Sequence, residues 1–218
     1  MSHKAPEELL FDYAAGSLPE GPSLAVALHV ALDPAARRTV QDLQAIGGAL
    51  LESEGGPALE EFALERALAR IDGVAVEAPT APPEPAAGFE WAPPVLLPYL
   101  GHAPRWRKAI GGFENIPIHI PGDSHRIELL RLMPGRGLPR HRHVGNEYTV
   151  VMHGGFTDNT GNYGVGDFTV GPGGNDHEPI ADAHDGEPCI ALIVLERPIV
   201  LSGPWSRWFN PLVRRGWL

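Results

Sequence analysis

The sequence predicts an α+β chain in two domains: a small N-terminal helical bundle, then a C-terminal double-sheet jelly-roll barrel (a double-stranded β-helix). Three observations predict it. Up to residue 76, apolar side chains recur at helical spacing. Residues 77–94 hold six prolines among Ala, Glu and Thr. From 95 to 218, short apolar runs of strand length alternate with Gly, Pro and Asn. The first stretch is the helical domain, the second a semi-stiff spacer that cannot build a core, and the third the barrel.

Each helix has its own start signal. PEELLFDYAAGSL opens with Pro6 at a first-turn position and has Glu7 and Glu8 where the helix dipole favours acids. Its Leu9, Leu10 and Tyr13 share one side. Residues 23–32 read as a second helix after the Gly21-Pro22 break. Asp33-Pro34 is a cap with an N1 proline, opening a third helix along which Val40, Leu43, Ile46, Leu50 and Leu51 recur. Gly55-Gly56-Pro57 stops it, and Leu64, Leu68 and Ile71 mark one face of a fourth. Four such helices can form a small, marginal bundle.

The strand candidates are RWRKAI, FENIPIHI, HRIELLRLM, EYTVVMHGGF, GDFTV and PCIALIVLE. The closing PWSRWFNPLVRRGWL is rich in aromatic residues and is expected to pack back on the barrel.

Residues 135–177 concentrate the chemistry. His141, His143, Glu147 and His177 are residue types that hold a transition metal. Two histidines one residue apart on an extended segment face the same way. Gly145-Asn146 can bend the chain so that Glu147 turns to the same point, and Gly166, Pro172, Gly173 and Gly174 punctuate the return that brings His177. Three imidazoles and a carboxylate suit Zn, Fe, Mn, Ni or Cu, and spacing does not choose between them. Four ligands on zinc make a closed tetrahedral shell suited to a structural or sensing role; iron with two open positions would allow dioxygen chemistry. By alternation Arg142 points outward. His153 lies about 20 Å of strand from Glu147 and is no ligand. His102, His119, His125 and His184 read as structural or exposed. Cys189 shares a strand face with Ala191; it is either a small buried hydrophobe or a thiol near the metal that oxidation could change.

At these residues the chain resembles the cupin superfamily. The first cupin motif (G, five residues, HxH, three or four residues, E, six residues, G) is matched by Gly135, His141, His143, Glu147 and Gly154. The second (G, five residues, PxG, two residues, H, three residues, N) is matched by Gly166, Pro172, Gly174 and His177, with Ala181 where the terminal Asn is usual. That Asn is a packing position, so the ligand set is unaffected.

A helical module, a linker and a cupin barrel together resemble the ChrR family of anti-sigma factors. The resemblance rests also on LLFDYAAGSLPEGPSLAVALHVAL and on the helix with Ala45-Ile46-Gly47-Gly48. It implies an extracytoplasmic-function sigma factor as partner, a response to singlet oxygen or related oxidants, and zinc in the barrel. The family's N-terminal zinc site uses an early His plus HxxxCxxC. Here His29 keeps the histidine, Asp33 and Ala36 replace the cysteines, and His3 lies near the early position. With three ligands at most, no zinc is expected in the helical half.

Bulk properties narrow the function classes. The chain has 218 residues, 43% hydrophobic and 20% charged, as in an ordinary soluble protein. No apolar run reaches membrane-spanning length, MSHKAPEELL lacks a secretion-signal layout, and the single Cys189 fits a reducing cytoplasm. The net charge of −10 is concentrated in residues 1–88, with five Lys/Arg against fourteen Asp/Glu, while the remainder has twelve against thirteen. Such a half repels nucleic acid and suits a basic protein partner. No hydrolase triad, P-loop, dinucleotide fingerprint or basic aromatic face is found. The expectation is a cytoplasmic regulator, with no membrane or direct nucleic-acid contact and a candidate homodimer through its barrel. The competing expectation is a dioxygenase-like cupin metalloenzyme with a degenerate helical appendage.

Overall fold

The structure, a computed structural model, describes residues 3–73, 84–109, 112–171, 173–174, 176–183, 186–204 and 206–211. Four helices come first: α1 (Glu7–Ala14), α2 (Glu20–Leu32), α3 (Pro34–Ser53) and α4 (Ala63–Asp72). Asp33 caps α3 as expected, its Oδ1 accepting the N–H groups of Ala35 at 2.6 Å and Ala36 at 3.0 Å. Helix α2 starts earlier than residue 23. Gly21-Pro22 form its first turn instead of a break, because proline needs no N–H partner there.

A 3₁₀ turn at Pro94–Leu96 runs into α5 (Leu97–Leu100), and twelve strands follow. They are β1 (Arg107–Lys108), β2 (Glu114–Ile118), β3 (Arg126–Leu132), β4 (His141–Arg142), β5 (Glu147–His153) and β6 (Gly155–Thr157). Then come β7 (Asn162–Gly164), β8 (Phe168–Gly171), β9 (Asp176–His177), β10 (Ile180–Ala181), β11 (Cys189–Leu195) and β12 (Val200–Leu201). The large sheet has the order β1-β2-β3-β11-β5-β8, and two small sheets have the orders β10-β6-β7 and β12-β4-β9. All pairings among the described residues are antiparallel. The helical region plus antiparallel barrel agree with the predicted fold class.

The large sheet is covered on both faces, which explains its long apolar runs. Along β11, Cys189, Ala191 and Ile193 face the barrel interior while Ile190, Leu192 and Val194 join the helices in one core. On β5, Glu147 and Thr149 face in, and Val150 and Met152 face the helices. Helix α2 meets β5 and β11 on one side and α1 and α3 on the other. A helix so enclosed must be apolar nearly all round, as GPSLAVALHVAL is, and Leu24, Ala25, Val26, Leu28 and His29 are buried.

Two expectations change. Only Ala36 and Val40 of α3 are buried, Leu43 is half-buried against the core, and α4 has no buried residue, so the apolar stripes beyond Leu43 stay open to solvent. Of the proline-rich stretch, residues 77–83 lie outside the described residues, and the remainder is not a bare spacer. Phe89 and Ala92 are buried, and Phe89 stacks on Trp106 at 5.9 Å. Its two aromatic residues supply the apolar area that the prolines lack. After β12, the Asn210 side chain bonds both the N–H and the C=O of Leu201, which ties the start of the tail to the barrel; residues 212–218 lie outside the described residues. Among the described residues, no helix is long and apolar enough to cross a membrane.

Candidate metal centre

Strand register assembles the site. Strand β4 pairs with β9 so that His141 lies opposite His177 and Arg142 opposite Asp176. Alternation buries His141 and His143 and exposes Arg142, as predicted. Glu147 opens β5 on its inward face, and the preceding turn is anchored by Glu196, which accepts the N–H and side-chain amide of Asn146 at 3.0 and 2.8 Å. At Gly154, where β5 ends, φ is +62° and a Cβ would lie 2.5 Å from the Pro188 carbonyl oxygen, so the motif's glycine is required. Ala181 is buried in the interior cluster, a packing position. Pro172 and His184 lie outside the described residues.

All four predicted ligands are brought together, with one ligand atom from each lying within 4.8 Å of the others. Their hydrogen bonds set the tautomers. His141 Nδ1 donates to the Pro139 carbonyl at 2.8 Å, and His177 Nδ1 donates to Asp158 Oδ2 at 3.0 Å. With Nδ1 as the donor, the neutral form of either ring presents a lone pair at its Nε2. Those two Nε2 atoms stand 2.9 Å apart, and His143 Nε2 is 2.8 Å from His177 Nε2. Lone pairs facing one another at this distance repel unless a cation or a shared proton lies between them. Nitrogens about 2.0–2.1 Å from a tetrahedral zinc would be spaced about 3.3 Å apart, close to this arrangement.

A second sign is His143 Nδ1. It lies 2.7 Å from Glu147 Oε2, an ion-pair distance, yet it is buried without an aligned hydrogen-bond partner. A buried ring nitrogen left unsatisfied beside a carboxylate marks a site short of a partner. The residues present therefore fit a transition metal.

The protonation states fit as well. Burial would raise the Glu147 carboxyl, but the imidazoles of His143 and His141 and the Thr149 hydroxyl outweigh it and hold it at about 2. Burial and the neighbouring His177 push His141 down to about 4. At neutral pH Glu147 is thus a carboxylate and His141 a neutral imidazole, the forms that ligate metals. When bound, the metal would supply a Lewis-acidic centre joining strands of two sheets.

Sequence reasoning missed Asp158. It lies between β6 and β7, buried, and orients His177 as outer-shell carboxylates do for metal-bound histidines. Burial acts to raise its pKa, but hydrogen bonds from Thr160 and His177 keep it below the usual range. Its only sequence signal is the turn-forming DNTG around it, which does not point to a distant histidine.

Beside the ligands opens a cavity of about 220 Å³ with Leu130, Leu132, Leu138, Phe156, Val170 and Ile193 among its walls. Cys189 also faces it, but burial and the nearby Asp182 raise the thiol to about 12, so it remains a protonated packing group. His153 bonds the Pro188 carbonyl instead, His102 and His119 are exposed, and His125 pairs with Asp123.

In the helices, His29 is fully buried with both ring nitrogens engaged. Nδ1 donates to the Gly166 carbonyl at 2.8 Å and Nε2 accepts the Ala5 N–H at 3.3 Å. Asp33 is occupied as the α3 cap. Among the described residues, His3, His29 and Asp33 do not gather as a ligand set.

The chain is similar to known proteins. Residues 102–194 match the family model described as the ChrR Cupin-like domain. The anti-sigma-E factor ChrR of Cereibacter sphaeroides is 32% identical over 216 residues, covering 97% of this chain and 98% of that protein. The crystal structure of Rhodobacter sphaeroides SigE in complex with the anti-sigma ChrR superposes with a TM-score of 0.73 at 32% identity, covering 88% of this chain and 98% of that one. With nearly full-length similarity and an assembled ligand set, the chain belongs to the ChrR family.

Proposed function

We propose that this protein is a ChrR-type anti-sigma factor. Its helices hold an extracytoplasmic-function sigma factor, and its barrel senses singlet oxygen or a related oxidant through one divalent metal on His141, His143, Glu147 and His177. In this reading residues 1–76 restrain the sigma factor, 77–94 link, and 95–218 sense, all in the cytoplasm where transcription takes place.

The observation that carries the reading is the open apolar stripe. Ile46, Leu50 and Leu51 of α3 and Leu64, Leu68 and Ile71 of α4 are each between 51% and 77% exposed. A monomer rarely leaves so many apolar residues uncovered on consecutive helices unless a partner covers them. Residues 41–73 carry seven acids against two arginines, so the partner has apolar anchors within a basic surface. The relative's complex with a sigma factor supports that identity.

Zinc is favoured because three nitrogens and one oxygen make its closed four-coordinate shell. The test is co-expression with the cognate sigma factor, followed by purification and metal analysis by mass spectrometry. The expected result is a one-to-one complex with one zinc per chain. A chain that releases the sigma factor on every column overturns the anti-sigma reading.

One observation favours a second reading, a dioxygenase-like metalloenzyme. The 220 Å³ apolar cavity reaches the metal ligands and has room for a small substrate. Iron instead of zinc, with oxygen consumption on an apolar substrate, would favour it.

A further inference from the structure

Residues 3–5 form an arm that touches both halves of the molecule. The His3 N–H donates to Asp167 Oδ1 at 2.8 Å, and the His3 carbonyl accepts the Phe168 N–H of β8 at 2.9 Å. Two residues on, the Ala5 N–H donates to His29 of α2, which is itself bonded to the Gly166 carbonyl. The arm is thus an extra edge segment on the barrel that ends in the helical core, where Ala5 is buried.

The same arm is joined to the metal centre by a directional chain of hydrogen bonds. His177 Nδ1–H donates to Asp158 Oδ2. Asp158 Oδ1 accepts the Thr160 hydroxyl at 2.6 Å and its N–H at 2.7 Å. The Thr160 hydroxyl has one hydrogen, already given to a carboxylate that only accepts, so Tyr163 must be the donor in its 2.7 Å bond to Thr160 Oγ1. The Tyr163 ring in turn packs on the His3 ring, centroids 4.5 Å apart. The Tyr163 hydroxyl therefore keeps this acceptor only while Thr160, Asp158 and His177 keep their places.

We propose that this arm couples the metal centre to the helices: the state of His177 is passed through Asp158, Thr160 and Tyr163 to His3, and through Ala5 and His29 to α2. The proposal rests on the metal reading above, though not on the identity of the partner. A metal on His177 Nε2 fixes the ring that starts the chain. Without that constraint the ring and Asp158 can turn, Tyr163 loses its fixed hydroxyl partner, and His3 loses its platform. A seated or released arm is the two-state element such coupling requires.

Two amides report on the arm, those of Ala5 and Phe168, because their acceptors are His29 and the His3 carbonyl. The experiment is hydrogen–deuterium exchange on the full chain, zinc-loaded and zinc-stripped, with zinc content measured on each sample. In the wild type both amides should exchange on the order of tenfold faster after stripping. In zinc-loaded Tyr163→Phe and Thr160→Val they should already exchange at the stripped rate, with zinc retained. Thr160 is exposed, so its variant keeps the test valid if the buried Tyr163 variant fails to fold. The Leu129 and Leu192 amides in the sheet core separate arm release from general melting; if stripping melts the barrel, the loaded variants decide alone. Zinc bound but arm exchange indifferent to it, or loaded variants that match the loaded wild type, overturns the coupling alone. A protein that takes up no metal removes the metal reading and the coupling with it.

Discussion

Gly21 donates its N–H to Asp123 Oδ2 at 2.6 Å, so the start of α2 is capped by the β2–β3 turn, 102 residues along the chain. The other Asp123 oxygen accepts the His125 N–H at 2.7 Å and meets its ring at 2.6 Å, which holds the carboxylate in place. A Cβ at residue 21 would lie 2.9 Å from Ile127 Cδ1 and 3.2 Å from Asp123 Oδ2, so a larger residue requires both side-chain ends to shift and disturbs the cap. Asp123→Ala should lower unfolding stability by about 1 kcal/mol, the usual cost of a lost cap. Gly21→Ala should also destabilise. Urea unfolding of both variants checks this; unchanged midpoints would mean that the cap contributes nothing.

Metal affinity should fall in two steps. His141→Ala or His177→Ala should abolish tight binding, since each removes a ligand. Asp158→Ala should keep the metal but weaken it by roughly 10- to 100-fold, because His177 loses its orienting carboxylate. Competition with a chromophoric chelator measures both.

His29 gives the helical half a pH dependence of known sign. Burial lowers its pKa from the ordinary 6.5, against the upward pull of the Gly166 carbonyl, Asp33 and Asp167, while Lys4 pushes it further down. Above pH 6.5 both folded and unfolded chains hold it neutral. As pH falls below 6.5, the unfolded chain takes up a proton that the fold refuses, so stability declines until the lowered folded pKa is reached. Protonation also removes Nε2 as acceptor for Ala5. Denaturant midpoints between pH 7 and pH 5 should slope less in His29→Gln than in the wild type; parallel curves would assign the slope to other groups.

The open helical stripe should matter for binding and little for folding. Leu50→Asp and Leu68→Asp change residues 62% and 51% exposed, so melting temperatures should stay close to the wild type. Sigma-factor affinity should drop by at least about 2 kcal/mol, roughly 30-fold, if these are central anchors. Titration calorimetry would decide, and undiminished affinity would move the interface elsewhere.

Cys189 should be silent as a redox group. With the thiol raised to about 12 and buried, alkylation should require unfolding. Cys189→Ala should retain the metal and any oxidant response, at a stability cost of about 1 kcal/mol. Loss of the response in this variant would return the thiol to the mechanism.

The four ligands were legible in the sequence because each signal is local. HxH and Glu147 lie within one short segment and His177 within a second, each with its own glycine punctuation, and the resemblance to the two cupin motifs joins them. The capping of α3 by Asp33 was legible for the same reason. Asp158 was not, since its partner His177 lies 19 residues away and only the folded β6–β7 loop brings them together. The same holds for Asp123 and Gly21, and for His29 and Gly166.

Taken alone, the amino-acid order determined the helix-then-barrel class, the candidate ligand residues and the family resemblance, since periodicity, turn residues and motif spacing depend on neighbours along the chain. Only the tertiary structure decided that α2 lies on the sheet β5 and β11 belong to, that α3 and α4 keep an uncovered apolar side, and that Phe89 is buried in the core. Burial depends on what packs from elsewhere. An apolar stripe looks the same in a sequence whether its partner is a neighbouring helix, a sheet or another protein.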